Sequence, residues 1–326
     1  MKKAVTLAAV ILVLLTISLW HQSSRRDTHA RKIFVMDTFV ELLAEGTREQ
    51  AEAAFKDAAS ELDRLDSRLG YRDSLVDELN SRHVVRDPEI YRLVKVSREV
   101  HDASERGFSI TLRPILDAWG FSGLHPYRMP TADEFENWKR LPQDEAIRLV
   151  PDGITVETPE NIRIDLGGIA KGYAADRAAK AMQRAGAAAG LVNAGGDIAC
   201  FGERTWNIGV KHPKGPGVFA VVPLKDRAMA TSGDYERFFV HEGERYHHIL
   251  DPASGMPARG LISATVIADT CTEADAWATA LFVRGPGRLA AELERRGMEW
   301  IVVDAEGMVT ASPALKDLCP EKLPER

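Results

Sequence analysis

Cysteine is scarce in this sequence, whose 326 residues include only three, at positions 200, 271 and 319. Three cysteines are too few for a disulfide-stabilised scaffold, and no two of them have the spacing of a zinc finger. The sequence also lacks internal repeats and low-complexity tracts. With 45% hydrophobic and 28% charged residues, its composition is that of an ordinary globular protein. Collagen, coiled coils, wholesale disorder and polytopic membrane proteins are therefore excluded.

Net positive charge is lacking outside the amino terminus. Residues 1–32 carry six lysines and arginines against one aspartate, a net charge of +5. The whole chain has a net charge of −6, which leaves −11 for the remaining residues. Binding to nucleic acid requires a basic face, so we expect no nucleic acid among the partners of this protein.

The amino terminus is distinct from the rest of the chain. Lys2 and Lys3 precede 17 uncharged residues, Ala4 to Trp20, which would span roughly 25 Å as a helix. This pattern predicts a signal peptide or signal anchor within residues 1–32, although a buried core helix is an alternative. No cysteine follows the apolar run, so there is no lipoprotein acylation site. We therefore expect residues 33–326 to lie on the periplasmic side of the inner membrane, tethered to it or exported.

The periodicity of the body predicts an α+β fold. Helices are expected over residues 48–69, 88–106, 170–185 and 272–283. Strands are expected over residues 33–43, 161–165, 206–211, 218–224, 236–241, 245–250 and 261–268. Consecutive strands with interspersed helices predict a mainly antiparallel sheet with flanking helices. Residues 124–160 contain five prolines and little periodicity, which indicates a subdomain excursion within the 33–326 domain.

A pair of glycines lies between a predicted strand and a predicted helix, in the segment Asp165-Leu-Gly-Gly-Ile-Ala-Lys171. Adjacent glycines let the backbone turn sharply and approach a ligand, and the helix start offers N–H groups to a phosphate. Lys171 would add positive charge. The segment is neither a P-loop nor a dinucleotide-binding G-x-G-x-x-G motif. A plain turn that needs glycine for packing explains the pattern equally well.

Asp275 and Thr279 are four residues apart in a predicted helix, so both side chains lie on one face. A carboxylate and a hydroxyl suit a hard cation such as Mg²⁺, with phosphate oxygens and water completing the shell. However, Thr272 and Asp275 also fit a capping box at the start of the helix. Spacing alone favours the cap.

Two further segments hold polar side chains at turns. His247 and His248 precede an Asp-Pro-x-x-Gly turn, and in a strand they would point to opposite faces, so at most one is expected in a given site. A histidine there can accept a hydroxyl proton near neutral pH, although a turn histidine with a purely structural hydrogen bond fits as well. Ser232 lacks a nucleophile-elbow motif, so a polar turn or a contact to a ligand is the favoured interpretation.

Seven segments, in this order, resemble the ApbE family of flavin transferases over roughly residues 33–312. The segments are Met36-Asp-Thr38, Ser104 to Pro114 with Trp119-Gly-Phe121, Asp165 to Asp176, Asn193-Ala-Gly-Gly-Asp197, Thr231-Ser-Gly-Asp-Tyr235, His248 to Gly255, and Glu273 to Thr279. Each motif alone is weak, but seven in one order are specific. The resemblance implies an ApbE-like fold and an enzyme that moves FMN from FAD onto a serine or threonine of a target protein. Such a reaction makes a phosphoester and releases AMP.

The resemblance also implies roles for particular residues. The residues expected to bind FAD are Met36, Tyr71, Gly107, Phe108, Ser109, Asp165, Lys171 and Ile249. The ligands expected for Mg²⁺ are the backbone carbonyl of Gly168 and the side chains of Asp275 and Thr279. His248 is expected to be the base that assists attack by the acceptor hydroxyl. These family roles favour function over the purely structural interpretations of Gly168, His248 and Asp275.

The sequence departs from the family pattern at four positions. Asp37 and Arg113 stand where glycine is usual, and Ser109 stands where aspartate is common. Ala278 stands where some members carry a second acidic residue, so this site has fewer carboxylate ligands. Details of the cleft are therefore expected to differ from those of other members.

The resemblance predicts an FAD:protein FMN transferase whose acceptor is a membrane redox subunit of the Nqr or Rnf type, or another exported flavoprotein. One alternative is a pyrophosphatase that splits FAD into FMN and AMP with water. Another is an FAD-binding protein without turnover. The presence of His248, Asp275 and Thr279 favours an enzyme, because a carrier would not need them.

Overall fold

The computed structural model describes residues 27–70, 73–141 and 143–324. The strands, in chain order, are β1 (Asp27–Val35), β2 (Thr38–Gly46), β3 (Val84–Arg86), β4 (Arg148–Leu149), β5 (Thr155–Glu157), β6 (Ala189–Ala194), β7 (Asp197–Gly202), β8 (Trp206–Lys211), β9 (Val218–Leu224), β10 (Ala228–Gly233), β11 (Phe238–His241), β12 (Glu244–His247), β13 (Leu261–Ala268), β14 (Glu299–Asp304) and β15 (Val309–Ala311). The helices are α1 (Arg48–Leu69), α2 (Leu75–Arg82), α3 (Pro88–Ala103), α4 (Arg113–Trp119), α5 (Ala132–Lys139), α6 (Ala170–Arg184), α7 (Cys271–Arg284) and α8 (Pro286–Arg295). Two 3₁₀ turns cover Asp144–Ala146 and Lys316–Leu318.

An eight-stranded sheet organises the molecule, with the strand order β1-β2-β6-β7-β10-β13-β14-β15. Every neighbouring pair in this sheet is antiparallel. The predicted α+β class with a mainly antiparallel sheet and flanking helices is therefore confirmed.

Three hydrophobic clusters surround the sheet. Helices α1, α6 and α7 pack against the sheet and α3 packs against α7, and together they form the largest cluster, which includes the fully buried Trp277 and Phe55. The β8–β9 hairpin contributes Trp206 and Ile208 to a second cluster that includes Leu191 and Ile301 of the sheet. A third, aromatic-rich cluster joins α4 and α5 to β12, so it supports the chain immediately before His248.

The excursion predicted at residues 124–160 contains α5, the first 3₁₀ turn and the short strands β4 and β5. Its Trp138 is buried in the third cluster, where it packs near Trp119 and Tyr246. Its strand β5 pairs with β3 and β4 in a separate small sheet. The excursion is thus attached to the body through packing and strand pairing.

Two strand predictions are wrong in detail. Residues 33–43 form a hairpin and not one strand, because Met36 and Asp37 make a tight turn with φ angles of 54° and 55°. Val35 pairs with Thr38 across this turn, so the buried positions change from odd numbers before it to even numbers, Val40 and Leu42, after it. Residues 161–165 form no strand, because the side chain of Asn80 satisfies both the N–H and the C=O of Ile164.

The predicted cap at the start of α7 is also wrong. The N-cap is Thr270, whose hydroxyl accepts from the backbone N–H of Glu273. Thr272 instead donates its hydroxyl to Asp176, whose carboxylate also accepts from the N–H groups of Cys271 and Thr272. Asp275 therefore takes no part in capping α7.

The predicted signal or anchor segment, Ala4 to Trp20, lies outside the described residues. Residues 27–32 form the first part of β1. None of the helices in the described part of the chain is long and apolar enough to cross a bilayer.

Candidate active site

Helices α6 and α7 meet at Gly172, and this contact positions Asp275. A Cβ at position 172 would lie 2.2 Å from the carbonyl oxygen of Cys271, so only glycine allows the approach. The N–H of Gly172 donates to Asp275 Oδ2 at 3.0 Å. Asp275 is only 4% exposed. Its carboxylate thus lies against the first turn of α6, where the helix dipole favours negative charge.

Thr279 lies one helical turn after Asp275 and faces the paired-glycine bend. A Cβ on Gly168 would lie 3.7 Å from Thr279 Oγ1 and 3.0 Å from the ring of Phe108. The hydroxyl of Ser232, on β10, is 3.1 Å from Thr279 Oγ1. The three residues expected to bind Mg²⁺ therefore lie around one place between α6 and α7.

The donor set fits a hard cation. No group of three or more His, Cys, Asp or Glu residues suited to a metal occurs in residues 27–70, 73–141 and 143–324. A cation here would therefore rely on one carboxylate, one hydroxyl and one backbone carbonyl, together with oxygens of a ligand. Mg²⁺ takes such all-oxygen ligands and is commonly shared between a carboxylate and substrate phosphates.

Lys171 and Asp197 form an ion pair beside Asp275. Lys171 Nζ is 2.5 Å from Asp197 Oδ2 and 3.9 Å from Asp275 Oδ2. Desolvation opposes the charge on Lys171, but the two carboxylates outweigh it and raise the pKa of the ammonium. Burial and the nearby charge of Asp275 raise the pKa of Asp197 to about 7, against the opposing effect of Lys171.

Asp165 lies at the start of the paired-glycine bend. Its Oδ1 accepts from the N–H of Gly167 at 2.8 Å, whereas its buried Oδ2 has no hydrogen-bond partner in the structure. A buried carboxylate oxygen without a donor is costly, and a ligand hydroxyl would satisfy it. This fits the predicted contact between Asp165 and FAD.

The segment Gly107-Phe108-Ser109 lies beside the bend. The ring of Phe108 contacts Gly168, as described above. The backbone carbonyl oxygen of Phe108 lies 2.8 Å from His101 Nδ1. The hydroxyl of Ser109 donates to Asp144 Oδ2 at 2.5 Å, in a buried position. Ser109 is therefore engaged within the protein, and Phe108 is the side chain of this segment that faces the bend.

The other residues expected to bind FAD are placed differently. Met36 lies in the β1–β2 turn, and its N–H is 3.4 Å from Asp66 Oδ2. Thr38 follows this turn and touches Gly195, two residues before Asp197, so the turn lies at the same end of the sheet as the ion pair. Ile249 is buried in the main core. Tyr71 lies outside the described residues.

The ring of His248 is held through one of its two nitrogens. Its Nδ1 lies 3.2 Å from the backbone carbonyl oxygen of Arg237, so Nδ1 carries the proton and Nε2 remains an acceptor. Burial, and then the charges of Arg237 and His247, hold the pKa of His248 well below its usual value. The positive charge of Lys171 makes a smaller contribution to the same shift.

The neighbouring His247 has a different environment. It is buried, its Nε2 lies 2.9 Å from the carbonyl oxygen of Ala258, and its ring packs edge-on against Phe282. Burial lowers its pKa to about 4. The two rings thus differ as expected for adjacent residues at a strand end, and His247 belongs to the core.

Two acidic residues of this region, Asp197 and Asp144, have no role predicted from the sequence. The local signal for Asp197 is a charged residue directly after Gly195-Gly196. Asp144 carries no local signal, because its partners Ser109, Ile110 and Thr111 lie more than 30 residues away. Its carboxylate accepts from all three and so joins the excursion to the cleft.

Several known proteins resemble this chain in sequence. A sequence model described as the ApbE family matches residues 36–302. The FAD:protein FMN transferase of Klebsiella pneumoniae is 31% identical over 212 residues, which cover 64% of this chain and 66% of that protein. The protein of the same name from Treponema pallidum is 31% identical over 272 residues, 75% of each chain. The match thus spans slightly less than two thirds of the Klebsiella relative's own length.

Solved structures show the same fold. The ApbE protein of Thermotoga maritima superposes with a TM-score of 0.84 at 32% identity, covering 90% of this chain and 100% of that one. The apo form of the flavinyl transferase ApbE of Pseudomonas stutzeri superposes with a TM-score of 0.79 at 27% identity, covering 90% and 97%. The resemblance inferred from the seven motifs is confirmed, and this chain belongs to the ApbE family.

Proposed function

We propose that this chain is an FAD:protein FMN transferase. In the proposed reaction, the hydroxyl oxygen of an acceptor serine or threonine attacks the phosphorus of the FMN half of FAD. The new phosphoester bond forms as the bridging phosphorus–oxygen bond breaks, and AMP leaves. The observation that carries the proposal is the convergence of Asp275 and Thr279 with the Gly168 bend.

The protein's contribution to this reaction is placement and electrostatics. Mg²⁺ held by Asp275, Thr279 and the Gly168 carbonyl would neutralise the charge of the diphosphate when bound. The first turn of α6 directs N–H groups and the positive end of its dipole toward the same region. Together these groups make an anionic substrate acceptable in an acidic protein.

His248 is the proposed acceptor of the hydroxyl proton. Its Nε2 is free because Nδ1–H donates to Arg237, and its lowered pKa keeps the ring neutral at pH 7. A neutral imidazole can accept a proton directly, whereas an imidazolium cannot.

The cellular setting is also a proposal. The basic and apolar amino terminus supports export or tethering at the periplasmic side of the inner membrane. The proposed acceptor is accordingly a redox subunit of the Nqr or Rnf type or another exported flavoprotein.

The test is to incubate the protein with FAD, Mg²⁺ and the soluble domain of an Nqr-type subunit, and to measure intact masses and AMP. We expect the acceptor to gain one FMN and AMP to appear in equal amount. Release of AMP without a modified acceptor would indicate a pyrophosphatase. Bound FAD with neither product would indicate a carrier.

Asp275→Asn is the informative variant, because the amide can still accept from Gly172 while the negative charge is lost. We expect transfer to fall by roughly 100-fold or more with the fold intact. The matched control is Asp269→Asn, which removes an exposed carboxylate six residues earlier. Wild-type transfer by Asp275→Asn would contradict the proposed metal site.

A further inference from the structure

We propose that Asp197 is a positioning residue that holds and neutralises Lys171, so that Asp275 remains available to a divalent cation. This inference rests on the proposed cation site. In this role the ion pair acts on the cation site and does not itself need to contact FAD. Three charged side chains carry it: Asp197, Lys171 and Asp275.

The distances show which carboxylate holds the ammonium. Lys171 Nζ is 1.4 Å closer to Asp197 Oδ2 than to Asp275 Oδ2, at 2.5 Å against 3.9 Å. The direct hydrogen bond to Asp275 Oδ2 comes from the backbone of Gly172 instead. Lys171 thus lies next to Asp275 without forming a close ion pair with it.

The position of Asp197 is fixed by its backbone. It begins β7 directly after the turn at Gly195-Gly196, where both glycines have positive φ angles of 66° and 108°. Asn193 Oδ1 accepts from the N–H of Gly196 at 2.8 Å, which closes the turn. Because Asp197 is only 3% exposed and pairs with Ala194 across the hairpin, its carboxylate has little freedom to move away from Lys171.

The charge balance follows from this arrangement. At pH 8, above the pKa of Asp197, the side chains of Asp197, Lys171 and Asp275 together carry a net charge of −1, which suits a dication at Asp275. Without Asp197 the net charge of this group would be zero, and the ammonium would be free to move onto Asp275 and compete with the cation. Two further charged side chains act on this group, Arg237 and Glu236, and they are both exposed and of opposite sign.

A set of three variants tests the proposal through the binding of Mn²⁺, measured by electron paramagnetic resonance at pH 8 with FAD present and without turnover. Asp197→Asn is expected to weaken Mn²⁺ binding by about 10- to 100-fold, the range for loss of an outer-shell partner. Lys171→Met is expected to bind Mn²⁺ as tightly as wild type or more tightly. The double variant restores the net charge of −1 and is expected to return to within about threefold of wild type.

Circular dichroism and thermal unfolding of each variant establish that it is folded. If Asp197→Asn alone does not fold, the double variant decides the question, because it lacks both the competing ammonium and its partner. Glu299→Gln is the matched control, since Glu299 pairs with Arg227 in an ion pair at 3.1 Å on β14. We expect its Mn²⁺ affinity to be unchanged.

Two results would overturn the inference. One is an Asp197→Asn variant that binds Mn²⁺ as tightly as wild type. The other is a folded double variant that binds Mn²⁺ as weakly as Asp197→Asn does. If Asp197→Asn is unfolded, the corresponding result is a double variant whose Mn²⁺ affinity is about tenfold or more below that of wild type. By contrast, failure of the wild-type protein to bind Mn²⁺ would refute the proposed cation site itself, so the two failures are distinguishable.

Discussion

At the scale of single residues, the two adjacent histidines show how environment divides two chemically identical side chains. His247 is enclosed by the core and bonded to Ala258, while His248 is half-buried and turns its Nε2 away from its backbone partner. Both have lowered pKa values, but only His247 uses Nε2 in a hydrogen bond, which leaves Nε2 of His248 as the open acceptor. The chemistry at this strand end therefore belongs to one ring.

Replacing His248 with alanine should slow FMN transfer by roughly 100-fold or more, the usual contribution of a general base. FAD affinity should change much less, because the ring acts on the acceptor hydroxyl. The measurements are kcat with a saturating acceptor and the Kd for FAD. His241→Ala, an exposed change on β11, serves as the control. An equal loss in kcat and FAD affinity would point to a packing role.

The pH dependence of transfer provides a second check on His248. A base must be neutral to accept a proton, and the pKa of this ring is well below 6.5. We therefore expect kcat to stay constant as the pH falls from 8 to 6.5 and to decline only at lower pH. A pH–rate profile at saturating FAD, Mg²⁺ and acceptor measures this. A decline centred at or above pH 6.5 would show that His248 is not the titrating base.

At the scale of elements, Glu89 ties three helices together behind the site. From the first turn of α3 it accepts from Arg64 and Arg68 of α1 and from the hydroxyl of Tyr173 on α6. The Arg64 hydrogen bond outweighs desolvation and lowers the pKa of Glu89 to about 2. Because α6 begins at the glycine bend, this network fixes the helix that carries Lys171.

Replacing Glu89 with glutamine should reduce the free energy of unfolding at pH 7 by about 1–3 kcal/mol, the range for hydrogen bonds to charged groups. The folded-state pKa is lower than the usual 4.5, so the carboxylate stabilises the fold above about pH 4.5. That contribution is lost as the pH falls toward 2. Urea unfolding at pH 7 and pH 3 measures the difference between wild type and variant.

The control for this prediction is Glu99→Gln, an exposed position on the same helix. Its unfolding free energy should remain within about 0.5 kcal/mol of wild type at both pH values. The electrostatic explanation would be contradicted if the free energies of unfolding of Glu89→Gln and wild type differed as much at pH 3 as at pH 7.

At the scale of the whole molecule, we propose that the amino terminus and the folded body have separate roles. The sheet begins at Asp27, directly after the basic pair at positions 25 and 26. We propose that the preceding apolar segment delivers the body to the periplasmic face. Every candidate site residue lies at position 36 or later in the chain, so the body should act without that segment.

A fractionation experiment tests this division. The full chain, expressed in a Gram-negative host, should be found in the membrane fraction or the periplasm and be accessible to protease added to spheroplasts. A variant that lacks residues 2–24 should be soluble in the cytoplasm and bind FAD equally well. Recovery of the full chain as a soluble cytoplasmic protein would refute the proposed location.

Local patterns predicted the elements whose signals are local. The helix over residues 48–69 was predicted with its observed bounds, because its apolar spacing and the Thr47–Gln50 capping box are both encoded within one stretch of chain. The strands over 206–211, 218–224 and 261–268 were also predicted with their observed bounds. The β1–β2 turn was missed, since positive φ angles at Met36 and Asp37 carry no glycine signal.

The sequence by itself determined the fold class, the family and the residue types at the candidate site, because motif order and apolar periodicity depend only on neighbours along the chain. Tertiary structure alone decided which partners those residues have. Asp275 meets Gly172 across 103 positions, Lys171 meets Asp197 across 26, and Ser109 meets Asp144 across 35. Such contacts form only when the sheet and helices pack, since the position of each charge is set by elements remote in sequence.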